Sequence, residues 1–254
     1  MSGKNNVAAY DILKPSWYVN QMKGWSFTSY LLLLFGLGVI VGSTVTQPIT
    51  FIAIMTMLAG MLGFTTTISI TNTKPLNGIF GLVSALIYIY VAFTAKNYND
   101  IILQTTYIVL LDIPVLLIPS WATNVDKHIK KLTIKGNLKK TLMNWGLTAL
   151  FFVVVLGVLY AWEHGYSDSP RPFVDSFAAT IGITGALLTT LRFRDTYYFW
   201  LAQGIFSIIL WGITAYQGGA NWTLFLTYIL YLFNDLLSFF DKNIAWFHTK
   251  TVNG

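Results

Sequence analysis

Eight long apolar blocks constrain this chain more than any other feature of its sequence. Each block contains close to the ~20 residues that an α-helix needs to cross the hydrocarbon core of a bilayer. The 254 residues are 55% hydrophobic and only 10% charged, a composition typical of membrane proteins rather than of a soluble domain. The sequence therefore predicts an all-α polytopic membrane protein. Its eight transmembrane helices are predicted at about 26–45, 50–70, 77–95, 101–121, 143–162, 173–191, 196–216 and 222–240.

The positive charges predict how these spans are oriented. With eight spans, both termini and three of the loops lie on one side of the membrane, and they carry every Lys and Arg except Lys96 and Arg171. Because cytoplasmic loops are enriched in Lys and Arg, we expect a cytoplasmic lead-in at 1–25 and a cytoplasmic tail at 241–254. The lead-in lacks the apolar core of a cleaved signal peptide. The net charge of +6 thus follows from topology and does not indicate a nucleic-acid partner.

Residues that would support catalysis or a cofactor are scarce. The chain has no Cys, and His128, His164 and His248 all fall in predicted loops, which argues against a metal site. The H-E-x-x-H, G-x-S-x-G and G-x-x-x-x-G-K-[ST] motifs are absent, and each of them marks a common enzyme class. The sequence therefore predicts a protein that is not an enzyme and uses no cofactor.

Two groups of three spans resemble each other in sequence. One constant offset aligns small and aromatic residues of the third span with those of the seventh, and a two-residue change extends the match to the last span. We therefore expect a parallel repeat, 50–121 and 173–240, joined by a linker helix at 143–162 and preceded by an extra helix at 26–45. Some transporters build a central site from such repeats; chance similarity between apolar helices is the alternative. The aligned pairs are Gly81 with Gly204, Ser84 with Ser207, Tyr88 with Trp211, Ala92 with Ala215, and Tyr107 with Tyr228.

An aromatic and polar face runs along the block that begins at Arg192. Its side chains recur at spacings of three and four, which places them on one side of a helix. Such a face suits a flat ligand that forms hydrogen bonds, and similar residues occur in the third, fourth and eighth spans. The alternative is that the aromatic residues lie at the membrane interface and the polar groups join helices. The candidate substrate-binding residues are Tyr88, Gln104, Tyr107, Asp112, Tyr197, Trp200, Gln203, Ser207, Trp211, Tyr228, Tyr231 and Asn234.

Asp112 and Asp235 lie deep within predicted spans. Carboxyl groups at that depth are costly in a membrane, so each is a candidate functional group. A hydrogen bond or ion pair with a neighbouring helix is the structural alternative. Pro114 and Pro119 follow Asp112 in the same span, where they lack a backbone donor, free a carbonyl and favour a kink.

At these residues the chain resembles the PnuC-type vitamin transporters, over roughly residues 50–246. Two positions depart from the family pattern: Tyr197 occupies the place of the first Trp in a Trp-x-x-Trp pair, and Gly204 falls where an Asn is expected, with Gln203 beside it. Both departures concern the pocket, so they bear on the vitamin more than on the fold. The matching residues are the pair Asp175 and Ser176, the second aromatic Trp200, and the run Tyr228, Tyr231 and Asn234.

The resemblance implies a SWEET-like core of three helices, a linker helix and three helices, assembled as a homotrimer in a bacterial inner membrane. It also implies uptake of nicotinamide riboside by facilitated diffusion, followed by trapping through a separate cytoplasmic kinase. Trp200 and Tyr197 would stack on the cationic nicotinamide ring. Gln104, Gln203 and Asn234 would bond the ribose hydroxyls or the carboxamide. Because the predicted spans contain no Lys or Arg, phosphorylated nucleotides are expected to be rejected.

Three other functions are compatible with the same residues. The first is transport of another vitamin or nucleoside, such as thiamine, riboflavin or a deoxynucleoside. The second is a proton-coupled solute carrier that uses Asp112 or Asp235 as its proton site. The third is a membrane receptor or scaffold that binds a ligand without moving it.

Overall fold

The computed structural model describes residues 12–118, 128–244 and 248. Within these ranges it contains eight helices that are long and apolar enough to cross a membrane, and no named β-strand. The predicted fold class, an all-α protein with eight transmembrane helices, is confirmed. The SWEET-like partition and the internal repeat stay predictions. Pro119, the predicted end of the fourth span at residue 121, and the outer parts of the lead-in and tail lie outside the described residues.

The helices follow one another with short connections, apart from the segment between the fourth and fifth spans. Ser26 and Thr50 cap the first two spans, because each side-chain oxygen accepts a hydrogen bond from a backbone N–H of the first turn. The helices are α1 (Pro15–Gln21), α2 (Phe27–Val45), α3 (Phe51–Thr71), α4 (Asn77–Thr94), α5 (Tyr98–Tyr107), α6 (Ile113–Leu117), α7 (Leu138–Tyr166), α8 (Pro172–Thr190), α9 (Thr196–Tyr216) and α10 (Thr223–Phe240), with a π-helical turn (Ile108–Asp112) between α5 and α6.

Helix α7 is longer than the predicted linker helix at 143–162. It runs from Leu138 to Tyr166, because Asn137 caps it below the apolar block and its polar last turns continue the helix beyond the block. His164 therefore lies in a helix and not in the predicted loop, where its ring stacks on Tyr160 at a centroid distance of 5.4 Å.

The fourth span is irregular just before Pro114, a residue that lacks a backbone donor. Pro114 has no N–H with which to bond the carbonyl of Leu110, four residues earlier. The hydroxyl of Thr190 in α8 donates a hydrogen bond of 2.8 Å to that carbonyl instead. The π-helical turn that precedes Pro114 ends at Asp112, so the irregularity sets the position of a buried carboxyl group.

Hydrogen bonds between loops define two ends of the helix bundle. At one end, which we call the basic end, the backbone of Lys130 pairs with Arg192 and Arg194 at 2.8 and 2.9 Å, and Asp195 accepts a bond of 2.7 Å from the Leu132 amide. At the opposite end, which we call the Arg171 end, the Arg171 guanidinium binds groups from two other loops. These contacts fix the loops relative to each other at both ends of the bundle, so they also fix the relative positions of the helices that the loops connect.

The central and peripheral helices differ sharply in burial. Helix α8 is buried over most of its length, whereas α7 buries only Leu159 and Glu163. Helix α2 packs on α3 and α10 through a cluster that includes Leu33, Ile40 and Phe64. Many large apolar side chains of α2 and α7 point outward, as expected where lipid tails rather than water surround the protein.

Candidate functional site

A cavity lies among the central helices and encloses about 870 Å³ of space between atoms, its open mouth included. Helices α3, α4, α5, α9 and α10 and the π-helical turn all contribute to its wall. Ten of the twelve predicted site residues line it, although that they bind a substrate stays a prediction. The ten are Tyr88, Gln104, Tyr107, Asp112, Tyr197, Trp200, Gln203, Tyr228, Tyr231 and Asn234.

The other two predicted residues lie outside the cavity wall. Ser207 is buried one turn beyond Gln203 and accepts a hydrogen bond of 2.8 Å from its Nε2. Trp211 is fully buried and donates through Nε1 to Asp100, at 3.1 Å. Both residues share the predicted face of α9, but that face is longer than the cavity, so its far end packs against other helices.

The aromatic wall is held in place by specific contacts. Tyr107 and Trp200 meet edge to face at a centroid distance of 5.7 Å, an arrangement favoured by the charge distribution of aromatic rings. The Trp200 Nε1 donates to Thr189 at 3.1 Å, which fixes the orientation of the indole. Tyr197 packs against Ile129 and Phe239 near the basic end. These contacts leave flat apolar surface at the cavity wall.

Several polar groups at the wall retain unused hydrogen-bonding capacity. Among the described residues, the Tyr107 hydroxyl has no hydrogen-bond partner, and the buried side-chain amide of Gln104 also lines the wall. Asn234 accepts a single bond of 3.3 Å from Thr71, which leaves its Nδ2 group available. Buried polar groups are normally paired, so this set indicates a place for a polar ligand.

Three glycines receive the polar tips of cavity side chains from neighbouring helices. A Cβ atom added to Gly81 would overlap the Asp112 carboxyl, and one added to Gly182 would lie only 2.6 Å from the Tyr107 hydroxyl. Gly63 is similarly filled by the Tyr231 hydroxyl. Each polar tip therefore occupies space that any larger residue would take.

A hydrogen-bonded layer closes the cavity towards the Arg171 end. The Tyr88 hydroxyl donates to Asp100 at 3.0 Å and lies 2.9 Å from the Tyr228 hydroxyl, so Tyr228 is the donor in that second contact. Trp211 supplies a further donor to the same Asp100 oxygen. Asp100 is absent from the predicted site because it falls between the predicted spans at 77–95 and 101–121, whereas α5 begins at Tyr98. The acidic residue lies in the first turn, where negative charge is favoured.

A second polar layer lies nearer the Arg171 end. The Arg171 guanidinium donates to Asn97 Oδ1 at 2.8 and 3.2 Å, to the Ala95 carbonyl at 2.7 Å and to Gln217. Burial lowers the pKa of Arg171 from its ordinary value, and the oxygen acceptors offset part of that cost. Three segments are thereby joined around one buried cation.

A cluster beside this layer joins α5, α7 and α8. The Asn99 amide N–H donates to Asp175 at 3.0 Å, and its side chain donates to Ser176 at 2.8 Å and to Glu163. Asp175 and Ser176 are the pair that the family resemblance singled out. Here they connect helices and lie away from the cavity wall, which indicates a structural role for the motif.

Helix α3 contributes a polar stripe that the sequence analysis did not include. Thr66, Thr67 and Thr71 line the cavity, together with Gly63 and Ile70. The signal was present as three successive threonines at 65–67 inside an apolar block. Hydroxyls in such a span also bond their own helix carbonyls, so the run alone does not distinguish a site from ordinary packing.

Comparison with known proteins agrees with this architecture. The family described as nicotinamide mononucleotide transporter matches residues 53–247. A relative from Neisseria mucosa, named nicotinamide riboside transporter PnuC, is 26% identical over 235 residues, which are 91% of this chain and 86% of that protein. A Haemophilus influenzae protein of the same name is 24% identical over 194 residues, covering 74% of this chain and 78% of that protein.

A solved structure has the same fold. It is described as the crystal structure of the vitamin B3 transporter PnuC, and it covers 91% of this chain and 96% of its own with a TM-score of 0.71 and 23% identity. The likeness at this level of identity concerns the fold. Because the family match covers residues 53–247, which are most of the chain, the chain belongs to the nicotinamide mononucleotide transporter family and is a multi-pass membrane transporter.

Proposed function

We propose that this protein carries nicotinamide riboside across a bacterial inner membrane by facilitated diffusion. The observation that carries the proposal is the chemistry of the cavity, which combines aromatic surface with unused hydrogen-bonding groups and has no Lys or Arg among the described residues of its wall. The names of the two bacterial relatives support the same substrate. Net uptake would continue for as long as a separate cytoplasmic kinase removes the free riboside.

The absence of Lys and Arg from the cavity wall favours the riboside over its mononucleotide. A phosphate group needs cationic or multiple N–H partners when it is removed from water, and the wall supplies two aspartates instead. The phosphate would meet Asp112 and Asp235, and neither side chain carries a positive charge in any protonation state with which to pair it. We therefore propose that phosphorylated nucleotides are excluded even though the family is named after one.

The ring and the sugar would be recognised by different groups. Trp200 and Tyr197 would stack on the cationic nicotinamide ring, because a positive charge is attracted to an aromatic face. Gln104, Gln203 and Asn234 would form hydrogen bonds with the ribose hydroxyls or the carboxamide. A site that pairs such groups discriminates against analogues that lack them.

The closed Arg171 end suggests how the protein works. We assign the basic end to the cytoplasm from the distribution of Lys and Arg. The layer around Asp100 would then separate the cavity from the outside, and rocking of the two three-helix groups about the site would open it. Assembly as a homotrimer is part of this proposal and rests on the family resemblance alone.

Counterflow in proteoliposomes tests the proposal. Vesicles loaded with unlabelled nicotinamide riboside should accumulate labelled riboside but not labelled mononucleotide. Trp200→Ala should abolish the signal, while Trp162→Ala, at an exposed position of α7, should retain it. Counterflow of the mononucleotide at a comparable rate, or full activity of Trp200→Ala, would contradict the proposed substrate or the proposed stacking. Binding of the riboside without counterflow would identify a receptor instead.

A further inference from the structure

Two carboxyl groups face the cavity without a hydrogen-bond donor among the described residues. Asp112 is 2% exposed and Asp235 is 9% exposed, and both line the cavity. In the described part of the chain, no hydrogen-bond donor or cation compensates for the burial of either group. Burying an unpaired carboxyl group costs folding free energy, so the stability of the unliganded protein does not account for either residue.

Other buried carboxyl groups of this protein do have donors. Asp100 accepts bonds from Tyr88 and Trp211, Asp175 accepts one from the Asn99 amide, and Asp195 accepts one from the Leu132 amide. The fold therefore supplies donors to carboxyl groups that lie between helices or at loops. It withholds them from Asp112 and Asp235, the two that reach the cavity.

The cavity wall holds no opposing charge. Among the described residues, Asp112 and Asp235 are the only Asp or Glu in this wall, and no Lys, Arg or His lines it. A cation that enters the cavity favours the ionised form of both carboxyl groups, because opposite charges attract strongly in a medium of low dielectric constant. An uncharged molecule of the same shape gains none of this attraction between opposite charges.

The two groups are held by different walls of the cavity. Asp112 ends the π-helical turn and is seated on Gly81 of α4, which leaves no room for a Cβ atom. Asp235 lies on α10, in the other half of the chain. The π-helical turn and a glycine thus fix one carboxyl group and a regular helix fixes the other, so neither depends on a flexible loop for its position.

We propose that Asp112 and Asp235 form a cation-selecting subsite, which makes the transporter prefer substrates with a permanently positive ring. This inference rests on the proposed function and extends it to the substrate class: N-substituted pyridinium ribosides are accepted, and uncharged nucleosides and the reduced dihydropyridine form are disfavoured. The aromatic wall stacks on the ring and the amides pair its polar groups, whereas the two carboxyl groups add selection for charge beyond the attraction of the aromatic faces.

A matched pair of ligands tests this subsite. Nicotinamide riboside and dihydronicotinamide riboside share the ribose and the carboxamide and differ in the charge of the ring. Calorimetric titration of the detergent-purified full-length protein should give a Kd at least about tenfold lower for the cation. Asp112→Asn and Asp235→Asn, which keep the side-chain shape, should each weaken cation binding by about tenfold and change binding of the reduced form by less than about twofold.

The outcomes separate the two levels of the proposal. If the folded wild-type protein binds no nicotinamide riboside, the proposed function is wrong. If it binds the cation and the reduced form equally, the charge-selecting role is wrong while the proposed function stands. If the Asn variants weaken both ligands equally, the carboxyl groups bind ribose hydroxyls and the inference is overturned.

A control variant and a fallback keep the test decisive. Asp168→Asn removes a carboxylate that lies outside the cavity beside Lys96, and it should leave both affinities at the wild-type values. Should one Asn variant fail to purify as a folded protein, the other variant still decides the test, and equal affinities of the wild-type protein for the two ligands overturn the inference in any case.

Discussion

Buried acids are treated in opposite ways in two regions of this molecule. In the closed region towards the Arg171 end, Asp100 accepts hydrogen bonds from Tyr88 and Trp211. In the cavity, Asp112 and Asp235 accept none from the described residues. The paired polar groups join helices, whereas we propose that the unpaired ones bind a ligand. Changes in the first region should therefore affect stability, and changes in the second should affect binding.

Arg171→Ala should have the largest effect on stability. The substitution removes every bond that the guanidinium makes to Asn97, Ala95 and Gln217, and it leaves the buried oxygens of Asn97 and Ala95 without this donor. Hydrogen bonds to charged groups contribute about 1.5–3 kcal/mol each, so we expect the free energy of unfolding to fall by at least about 3 kcal/mol. Thermal unfolding in detergent measures the change. Lys139→Ala, at an exposed position in the first turn of α7, should be neutral, and equal losses in both variants would contradict the role of the layer.

Gly81→Ala should reduce both binding and stability. The new methyl group would overlap the Asp112 carboxyl, and overpacking of this kind typically costs about 1–3 kcal/mol. Nicotinamide riboside affinity should also fall, because the carboxyl group is displaced. Gly38→Ala is the matched control in α2, since nothing lies within 4 Å of its new Cβ atom, and helix propensity should make it stabilising by up to about 1 kcal/mol. A Gly81→Ala protein as stable as Gly38→Ala would show that the close approach of the Asp112 carboxyl to Gly81 does not affect stability.

Tyr88→Phe should have a moderate effect on stability. It removes one donor to Asp100 and the acceptor for Tyr228, and an unpaired buried group costs about 1–3 kcal/mol. Tyr90→Phe removes the same atom from an exposed side chain of the same helix and should leave the unfolding temperature unchanged. The comparison isolates the hydroxyl from the ring. Equal unfolding temperatures for the two variants would contradict the proposed closure.

Asp168→Asn should have the smallest effect. Hydrogen bonds from Lys96 and Tyr98 lower the pKa of Asp168 from its ordinary value, but the group is exposed and solvent screens the pair. Because the native pKa lies below the unfolded one, any stabilisation is present above the ordinary Asp pKa of about 3.9 and disappears as the pH falls through the native value. Melting curves of the two proteins from neutral to acidic pH should differ slightly at first and converge in acid. A gap that widens in acid would reverse the sign.

The spans and most of the cavity could be predicted from local spacing. Apolar blocks of membrane length predict helices directly, and residues such as Tyr197, Trp200 and Gln203 share a helix face that reaches the cavity. Periodicity does not say how far a cavity extends along a face. For that reason Ser207 and Trp211 were included in the predicted site although they pack outside it.

The polar layers could not be predicted in the same way. Asn99 donates hydrogen bonds to Asp175 and Glu163, which lie more than sixty positions away in the sequence. Arg171 donates to Asn97, which lies in another loop. Such contacts depend on how helices are arranged in three dimensions, and hydropathy carries no information about that arrangement. Glu163 likewise falls just outside the predicted linker helix at 143–162, because the sequence does not mark where α7 ends.

The three glycines that lie against cavity side chains have a consequence for how such a transporter changes its substrate during evolution. One base change converts a glycine codon into an alanine codon, and at Gly63, Gly81 or Gly182 the added methyl group would shift the tip of Tyr231, Asp112 or Tyr107. The chemistry of every binding residue would be retained while the outline of the cavity changed. Relatives with identical polar residues are thus expected to differ in the molecules they accept, and a search for determinants of specificity confined to contact residues would overlook the cause.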